Sequence, residues 1–384
     1  MTRVWHLVAT ISALLHYPEY ITATSLPSSQ CPWNPLGPLR SRTSTSCPLP
    51  VNSNSIAVTR DWDPWTYKPF CVYSTTHTNV EFCTYTHIPF RRMHGVSLIV
   101  EPHIAATLTS SLPDPDVSWD PQRDPFEAGA LHEPPAYVVQ DIPGKGKGVV
   151  AQRKIRRGEM FMVDFPVLVA GVKFPEVLSV RQGSELIKWA VMQLPRPELV
   201  LELGRSVGGG VVEDVLKTNV FALEIEGTPH MALYPEISRI NHACKPNAFT
   251  RASPRILNTE VVAHRDIELG EEITLTYIPS ILPHSERRLK LRAWNFTCAC
   301  PICSAPASGI AHSDSQRARI QAIGDELAYL RVASPTPENR SQIDTLSKEL
   351  LRIVEEEELP GELPMFWEQL ARVYFDVGDV LQAL

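Results

Sequence analysis

Asn241-His242-Ala243-Cys244-Lys245-Pro246-Asn247 decides the fold when it is taken with two stretches downstream, Gly270-Glu271-Glu272-Ile273-Thr274-Leu275-Thr276-Tyr277 and Cys298-Ala299-Cys300-Pro301-Ile302-Cys303. Gly270-Glu271-Glu272 fits a turn between strands, and Ile273 to Thr276 reads as a strand that Tyr277 closes. Cys298-x-Cys300-x-x-Cys303 brings three thiols into six residues, a spacing that suits zinc. Closed zinc sites take four ligands, and the fourth is missing locally. Disulfide pairing in an oxidising compartment is the competing reading of these thiols.

The same texture extends upstream. Tyr137-Val138-Val139 and Gly148-Val149-Val150-Ala151 read as strands bracketing Gly144-Lys145-Gly146-Lys147-Gly148. Alternating glycines let backbone approach a ligand and take positive φ, although alone they describe an ordinary tight turn. Ile155-Arg156-Arg157-Gly158-Glu159 is a second turn, before a strand at Met160 to Val163, and a further strand falls at Glu260 to Ala263. Residues 174 to 220 keep helical spacing, broken by Pro195, Pro197 and Gly208-Gly209-Gly210.

In this order the pieces resemble a SET domain, from about Tyr137 to Cys303, followed by helices similar to the helical tail of SET-and-MYND proteins. The family pattern reads Asn-His-Ser-Cys-x-Pro-Asn, and Ala243 stands where the serine would be. Tyr234-Pro235 also matches the approach to this motif. No cysteine lies between Gly148 and Cys244, so the MYND zinc module is absent and the pattern is closer to fungal SET proteins without it. Some of those look secreted.

The resemblance implies an α+β fold: a mainly-β SET domain of the β-clip type with a zinc-bound post-SET loop, after a β-rich cysteine-containing N-terminal region and before a helical tail. The activity implied is S-adenosylmethionine-dependent protein-lysine N-methyltransferase. The alternative is a non-catalytic interaction protein on a SET scaffold. In such a family Gly144, Lys145, Gly146, Lys147 and Gly148 line the cofactor pocket, with the two lysines near the methionine carboxylate. Asn241 and His242 contact the cofactor, Phe296 packs on its adenine, and Asn219 is a further pocket candidate. Tyr277 lies at the methyl-transfer channel, where its hydroxyl aligns the lysine amine by an oriented dipole. Cys244 completes a four-cysteine zinc site with Cys298, Cys300 and Cys303. The implied partner is a protein with a lysine side chain, histone or otherwise.

Bulk properties agree with a folded chain. The 384 residues leave room for two or three domains, and 43 % are apolar. A net charge of −7 argues against direct nucleic-acid binding. Many of the 34 prolines precede Pro135, which disfavours long helices in the first third.

Arg3 followed by the apolar run from Val4 to Leu15 and small residues near Ala23 reads as a signal peptide over 1–23, and too short for a transmembrane span. A secretory or extracellular location follows, with nucleus or cytoplasm as the alternative. Cys31, Cys47, Cys71 and Cys83 would then form two disulfides in a region over 24–112 with short strands at Phe70–Tyr73, Phe82–Tyr85 and Gly95–Val100. A linker is expected over 113–135, SET and post-SET over 136–303, and helices over 312–384.

Three apolar stripes mark those helices. They are Ile320, Ile323, Leu327 and Leu330; Ile343, Leu346, Leu350 and Ile353; and Phe366, Leu370, Val373, Val377 and Leu381. Two charge runs, Arg287-Arg288-x-Lys290-x-Arg292 and Glu355 to Glu358, read as solvated helix faces.

Overall fold

The structure is a computed structural model, and it describes residues 61–113 (except 76 and 78), 135–204, 212–333, 336–359, 363–379 and 382. The expected signal segment, Cys31, Cys47, Leu381 and the linker from 114 to 134 lie outside the described residues.

The strands are β1 (Phe70–Tyr73), β2 (Glu81–His87), β3 (Val96–Val100), β4 (Tyr137–Ile142), β5 (Gly146–Ala151), β6 (Met160–Asp164), β7 (Leu168–Gly171), β8 (Val220–Ile225), β9 (Thr228–Leu233), β10 (Asn241–His242), β11 (Ala248–Ser253), β12 (Asn258–Ala263) and β13 (Glu272–Leu275). Three sheets result, ordered β1-β2-β3-β7-β9-β8, β10-β13-β5-β4 and β11-β12-β6.

The expected N-terminal region is not a separate unit over its described residues. β3 pairs in parallel with β7, Leu98 opposite Val169, so β1 to β3 extend a sheet whose other half lies within the expected SET region. Cys71 faces Cys83 across the β1–β2 pair, and the two form a disulfide. Arg91 adds a second tie. Its buried guanidinium donates to Ser111 O, Pro113 O and Ile256 O, holding the end of the N-terminal segment against the turn before β12.

The large sheet is buried on both faces. Leu98, Val100, Val169 and Ala232 point into one core, and Ile99, Leu168, Ala170 and Leu233 into another. The second core is closed by α2 (Val180–Met192), which follows a shorter helix, α1 (Pro102–Leu108), on the N-terminal strands. Helix α2 starts where it does because Ser179 and Gln182 form a reciprocal capping box. It buries Gly183, Leu186, Ile187, Ala190 and Val191, the 3-4 spacing of a single face. α3 (Val212–Asn219) packs Val215 and Leu216 beside it.

After β13 come α4 (His284–Leu291), α5 (Ala307–Val332), α6 (Pro337–Glu356) and α7 (Leu363–Asp376). The three expected stripes, from Ile320 through Val377, form one core among α5, α6 and α7, with Ile281 packed against it. Thr336 caps α6 by accepting the Asn339 N–H at 3.2 Å. Among the described residues no helix is long and apolar enough to cross a membrane.

Candidate cofactor cleft and metal centre

Strand β13 is the spine of the site. β5, with the glycine segment before it, pairs antiparallel on one side, and β10, the Asn-His pair, runs parallel on the other. The chain reaches β10 through a clamped turn. Asp164, buried at the end of β6, accepts the N–H groups of Glu236 (2.7 Å) and Ile237 (3.0 Å) with one oxygen and that of Phe165 (2.8 Å) with the other. Burial pushes its carboxyl up to about 7 against the pull of those donors.

Asn241 spans the spine to the glycine segment. Its Nδ2 donates to Lys147 O at 3.2 Å and to Glu272 Oε1 at 2.9 Å. This approach explains Gly148. A Cβ there would stand 2.6 Å from Ile142 Cγ1 and 2.7 Å from Asn241 Nδ2. Gly144 and Gly146 serve the turn itself, at φ +75° and +77°. Lys145 and Lys147 lie at the same edge, each with an acidic partner: Lys145 pairs with Glu272 at 2.5 Å, and the exposed Lys147 stands 3.4 Å from Asp141. Asn219 folds back on its own helix, its amide donating to Val215 O and Thr218 Oγ1.

The motif's last residue is structural. Buried Asn247 accepts the Thr274 N–H (2.8 Å) and donates to Glu272 O (2.9 Å) and Glu271 Oε1 (3.0 Å). Ala243 donates its N–H to Leu275 O at 2.9 Å, a backbone bond that a serine would make equally.

Around Tyr277 the aromatics close in. Its ring centroid is 5.4 Å from His242, 5.5 Å from Trp294 and 6.4 Å from Phe296. The Tyr277 hydroxyl donates to Ile240 O at 2.7 Å, which fixes the ring at the entry to β10. Trp294 is anchored in turn, its indole N–H donating to Thr218 O at 3.0 Å. The sequence reading passed over Trp294, Asp164 and Glu272. The spacing Trp294-x-Phe296 was a usable signal for the first.

His242 joins the aromatic cluster to the cysteines. Nδ1 accepts the Tyr277 N–H at 3.1 Å, so the proton sits on Nε2, which lies 3.4 Å from Cys244 Sγ. Burial lowers the imidazole to about 4 and keeps it neutral. His242 is therefore an N–H donor towards a sulfur, the outer-shell arrangement that steadies a metal-bound thiolate.

The four cysteines meet. Cys244, Cys298, Cys300 and Cys303 have sulfurs all within 4.8 Å of one another, and none is in a disulfide. Cys244 Sγ is 3.9 Å from Cys298 Sγ and 3.5 Å from Cys303 Sγ. Tetrahedral zinc with Zn–S bonds of about 2.3 Å spaces its sulfurs by about 3.8 Å, so the set fits. The electrostatics agree. Hydrogen bonds from Cys244, Cys298 and Cys303 pull Cys300 far down, and those from Cys244 and Cys298 bring Cys303 to about 7. Cys244 is pushed up, first by its bond with Cys298. Cys300 and Cys303 are thus the readier thiolates, and Cys244 and Cys298, both pushed up, need a cation among them. The cluster packs with Ile278, Leu291 and Ile302, and Tyr277, Trp294 and Phe296 lie against it.

Two charged residues expected in solvent are buried. Arg287 is 0 % exposed and Glu357 5 %.

Comparison with known proteins follows this geometry. Residues 146–278 match the family model described as SET domain. The chain is 29 % identical over 210 residues to histone-lysine N-methyltransferase set5 of Schizosaccharomyces pombe, covering 53 % of this chain and 62 % of that protein. It is 33 % identical over 144 residues to N-lysine methyltransferase SMYD2-B of Danio rerio, covering 36 % of this chain and 32 % of the relative. It is 41 % identical over 75 residues to histone-lysine N-methyltransferase SMYD3 of Homo sapiens, covering 19 % and 17 %. The chain thus spans under two thirds of the length of these relatives. The β5–β13–β10 arrangement and the cysteine cluster agree with the match: this chain carries a SET domain over residues 146–278 and is homologous to the Set5 and SMYD-type proteins.

Proposed function

We propose that this chain is a protein-lysine N-methyltransferase that uses S-adenosylmethionine. The observation that carries the reading is the position of Tyr277. Its hydroxyl is pinned on Ile240 O, beside the Asn-His strand and against the cysteine cluster, where the SET match ends. The relatives whose printed names state lysine methyl transfer support it.

When bound, S-adenosylmethionine supplies an electrophilic methyl on a sulfonium. The chain's part is positioning, because the displacement needs an uncharged amine in line with that methyl. The Gly144–Gly148 segment, Asn241 and Phe296 would hold the cofactor, with His242 fixing Tyr277 and Cys244. Lys145, paired with Glu272, stands where a carboxylate could exchange for that partner. The Tyr277 oxygen and the Ile240 carbonyl present dipoles to the amine, and Trp294 and Phe296 exclude water. Cys244, Cys298, Cys300 and Cys303 would hold a structural zinc, which ties the post-SET loop to β10.

Calorimetric titration of zinc-loaded protein with S-adenosylmethionine tests the pocket. Saturable binding that Asn241→Ala weakens is expected, and folded zinc-loaded protein that takes up no cofactor would favour a non-catalytic scaffold. A secretory location is proposed on residues 1–23, with support from the Cys71–Cys83 disulfide. Mature protein cleaved near Ala23 in culture medium is the expected finding, and uncleaved protein kept in the cell would refute it.

A further inference from the structure

The two charge runs that read as solvated each bury a member, and both buried members point to one place. Arg287 on α4 and Arg317 on α5 are each 0 % exposed, the two largest fully buried side chains among the described residues. Neither is adequately partnered. Arg287 Nη1 donates to Leu282 O and lies 3.8 Å from Asp314 Oδ1, but its Nε and Nη2 have no hydrogen-bond partner. Asp314 is already engaged by the His284 N–H at 2.7 Å. Arg317 Nε donates to Ser313 Oγ at 3.2 Å, and Nη2 stands 3.3 Å from Glu357 Oε2. Nη1 and Nη2 of Arg317 make no hydrogen bond, while the Ser313 hydroxyl takes the same Glu357 oxygen at 2.6 Å. A buried guanidinium with idle N–H groups is strongly unfavourable unless another negative charge stands near.

That charge is present at the cysteine cluster. Leu291, one helical turn after Arg287 and on the same face of α4, packs against Cys244, Cys298 and Ile302. Burial and the neighbouring Arg287 both disfavour the charge on Arg317, while Glu357 and a thiolate at Cys244 favour it. Four thiolates around one Zn²⁺ carry a net charge of −2, and the two buried arginines share their charge between it and one acid each, Asp314 and Glu357.

We propose that Arg287 and Arg317 are the charge-balancing cations of the four-cysteine metal centre, so that loading the metal and docking α5 and α6 on the SET domain are one coupled event. The inference rests on zinc occupying the four cysteines. Arg317 divides its charge between that centre and Glu357, and Glu357 sits just past the C-terminus of α6, where the helix dipole disfavours an acid.

The rate of zinc loss from the full chain to a metallochromic chelator tests it. Glu357→Gln removes the acid that competes for Arg317, and zinc should leave no faster than from wild type. Arg317→Met with Glu357→Gln removes cation and acid together, and zinc should leave at least about tenfold faster than from Glu357→Gln alone. Equal rates for the two variants would overturn the charge balance and leave the metal assignment standing. Wild-type protein that carries no zinc and takes up none would overturn the metal assignment instead. A second readout needs no variant: zinc removal should speed amide exchange in α5 and α6, and unchanged exchange would overturn the coupling.

Discussion

Gly148→Ala tests the proposed cofactor cleft at its tightest point. A methyl at this position would lie 2.6 Å from Ile142 Cγ1, 2.7 Å from Asn241 Nδ2 and 3.3 Å from Glu272 Oε1. Ordinary contact begins near 3.4 Å, so two neighbours must each retreat by most of an ångström. Ile142 is half-buried at the end of β4 and can turn aside. Asn241 cannot retreat without lengthening both bonds from its amide, to Lys147 O and to Glu272 Oε1. Those bonds contribute about 1 kcal/mol each, and overpacking adds roughly 1–3 kcal/mol. The sum, about 3–5 kcal/mol, corresponds to a fall in Tm on the order of 5 °C for a chain of this size. Displacing Asn241 should also weaken S-adenosylmethionine binding by about tenfold or more.

Thermal unfolding and calorimetric titration measure the two effects. Gly309→Ala is the matched control. Gly309 lies inside α5, where the added methyl meets only Ala305 Cβ at 3.4 Å, so this change should be neutral or stabilise by about 0.5–1 kcal/mol. A Gly148→Ala protein with wild-type Tm and wild-type cofactor affinity would refute the close packing of Asn241 on the glycine segment.

Three further outcomes are expected. His94 is buried with Nε2 bonded to Phe165 O, and burial lowers its pKa to about 4 from the ordinary 6.5. The unfolded chain therefore binds the extra proton first, so the stability His94 contributes is whole above pH 6.5 and is lost as pH falls towards 4. The loss is about 3 kcal/mol at the lower end, and denaturant titrations across that window should show a flatter profile for His94→Gln. Asn247→Ala should destabilise by about 2–4 kcal/mol, because it strands the Thr274 N–H and the Glu272 carbonyl; its Tm should fall well below that of wild type. Metal analysis should find a single zinc per chain, and a chelator should lower Tm and free four thiols for titration; four thiols paired as disulfides would contradict the site.

Parts of this fold were legible because the chemistry is local. Phe70 to Tyr73 alternates because β1 is half-buried on one face and exposed on the other, and α6 shows its stripe because its other face is wet. β7 and β9 were not legible. Leu168-Val169-Ala170 and Met231-Ala232-Leu233 are buried on both faces, so the period-2 signal disappears into a continuous apolar run. Missing those strands hid the partners of β3 and made the N-terminal strands look like a module of their own.

At the site, the resemblance implied that Cys244 joins sulfurs 54 and more residues away, and the structure brings them together. Arg287 and Glu357 were misread for a general reason. A charged residue in a run of like charges is ordinarily solvated, and only the contacts of α4 with α5, and of α5 with the end of α6, reveal the one that is not. Asp164 and Trp294 escaped because each acts through backbone groups of a distant segment, Glu236 and Ile237 for one and Thr218 for the other.

The central claim is methyl transfer at Tyr277, and the direct measurement is transfer from methyl-labelled S-adenosylmethionine to a lysine-rich protein mixture by the zinc-loaded chain. The account predicts label recovered as methyl-lysine, with Tyr277→Phe binding the cofactor as wild type does and transferring at least about a hundredfold more slowly. Transfer by Tyr277→Phe at the wild-type rate, or cofactor binding by the wild-type chain with no methyl-lysine formed, would contradict it.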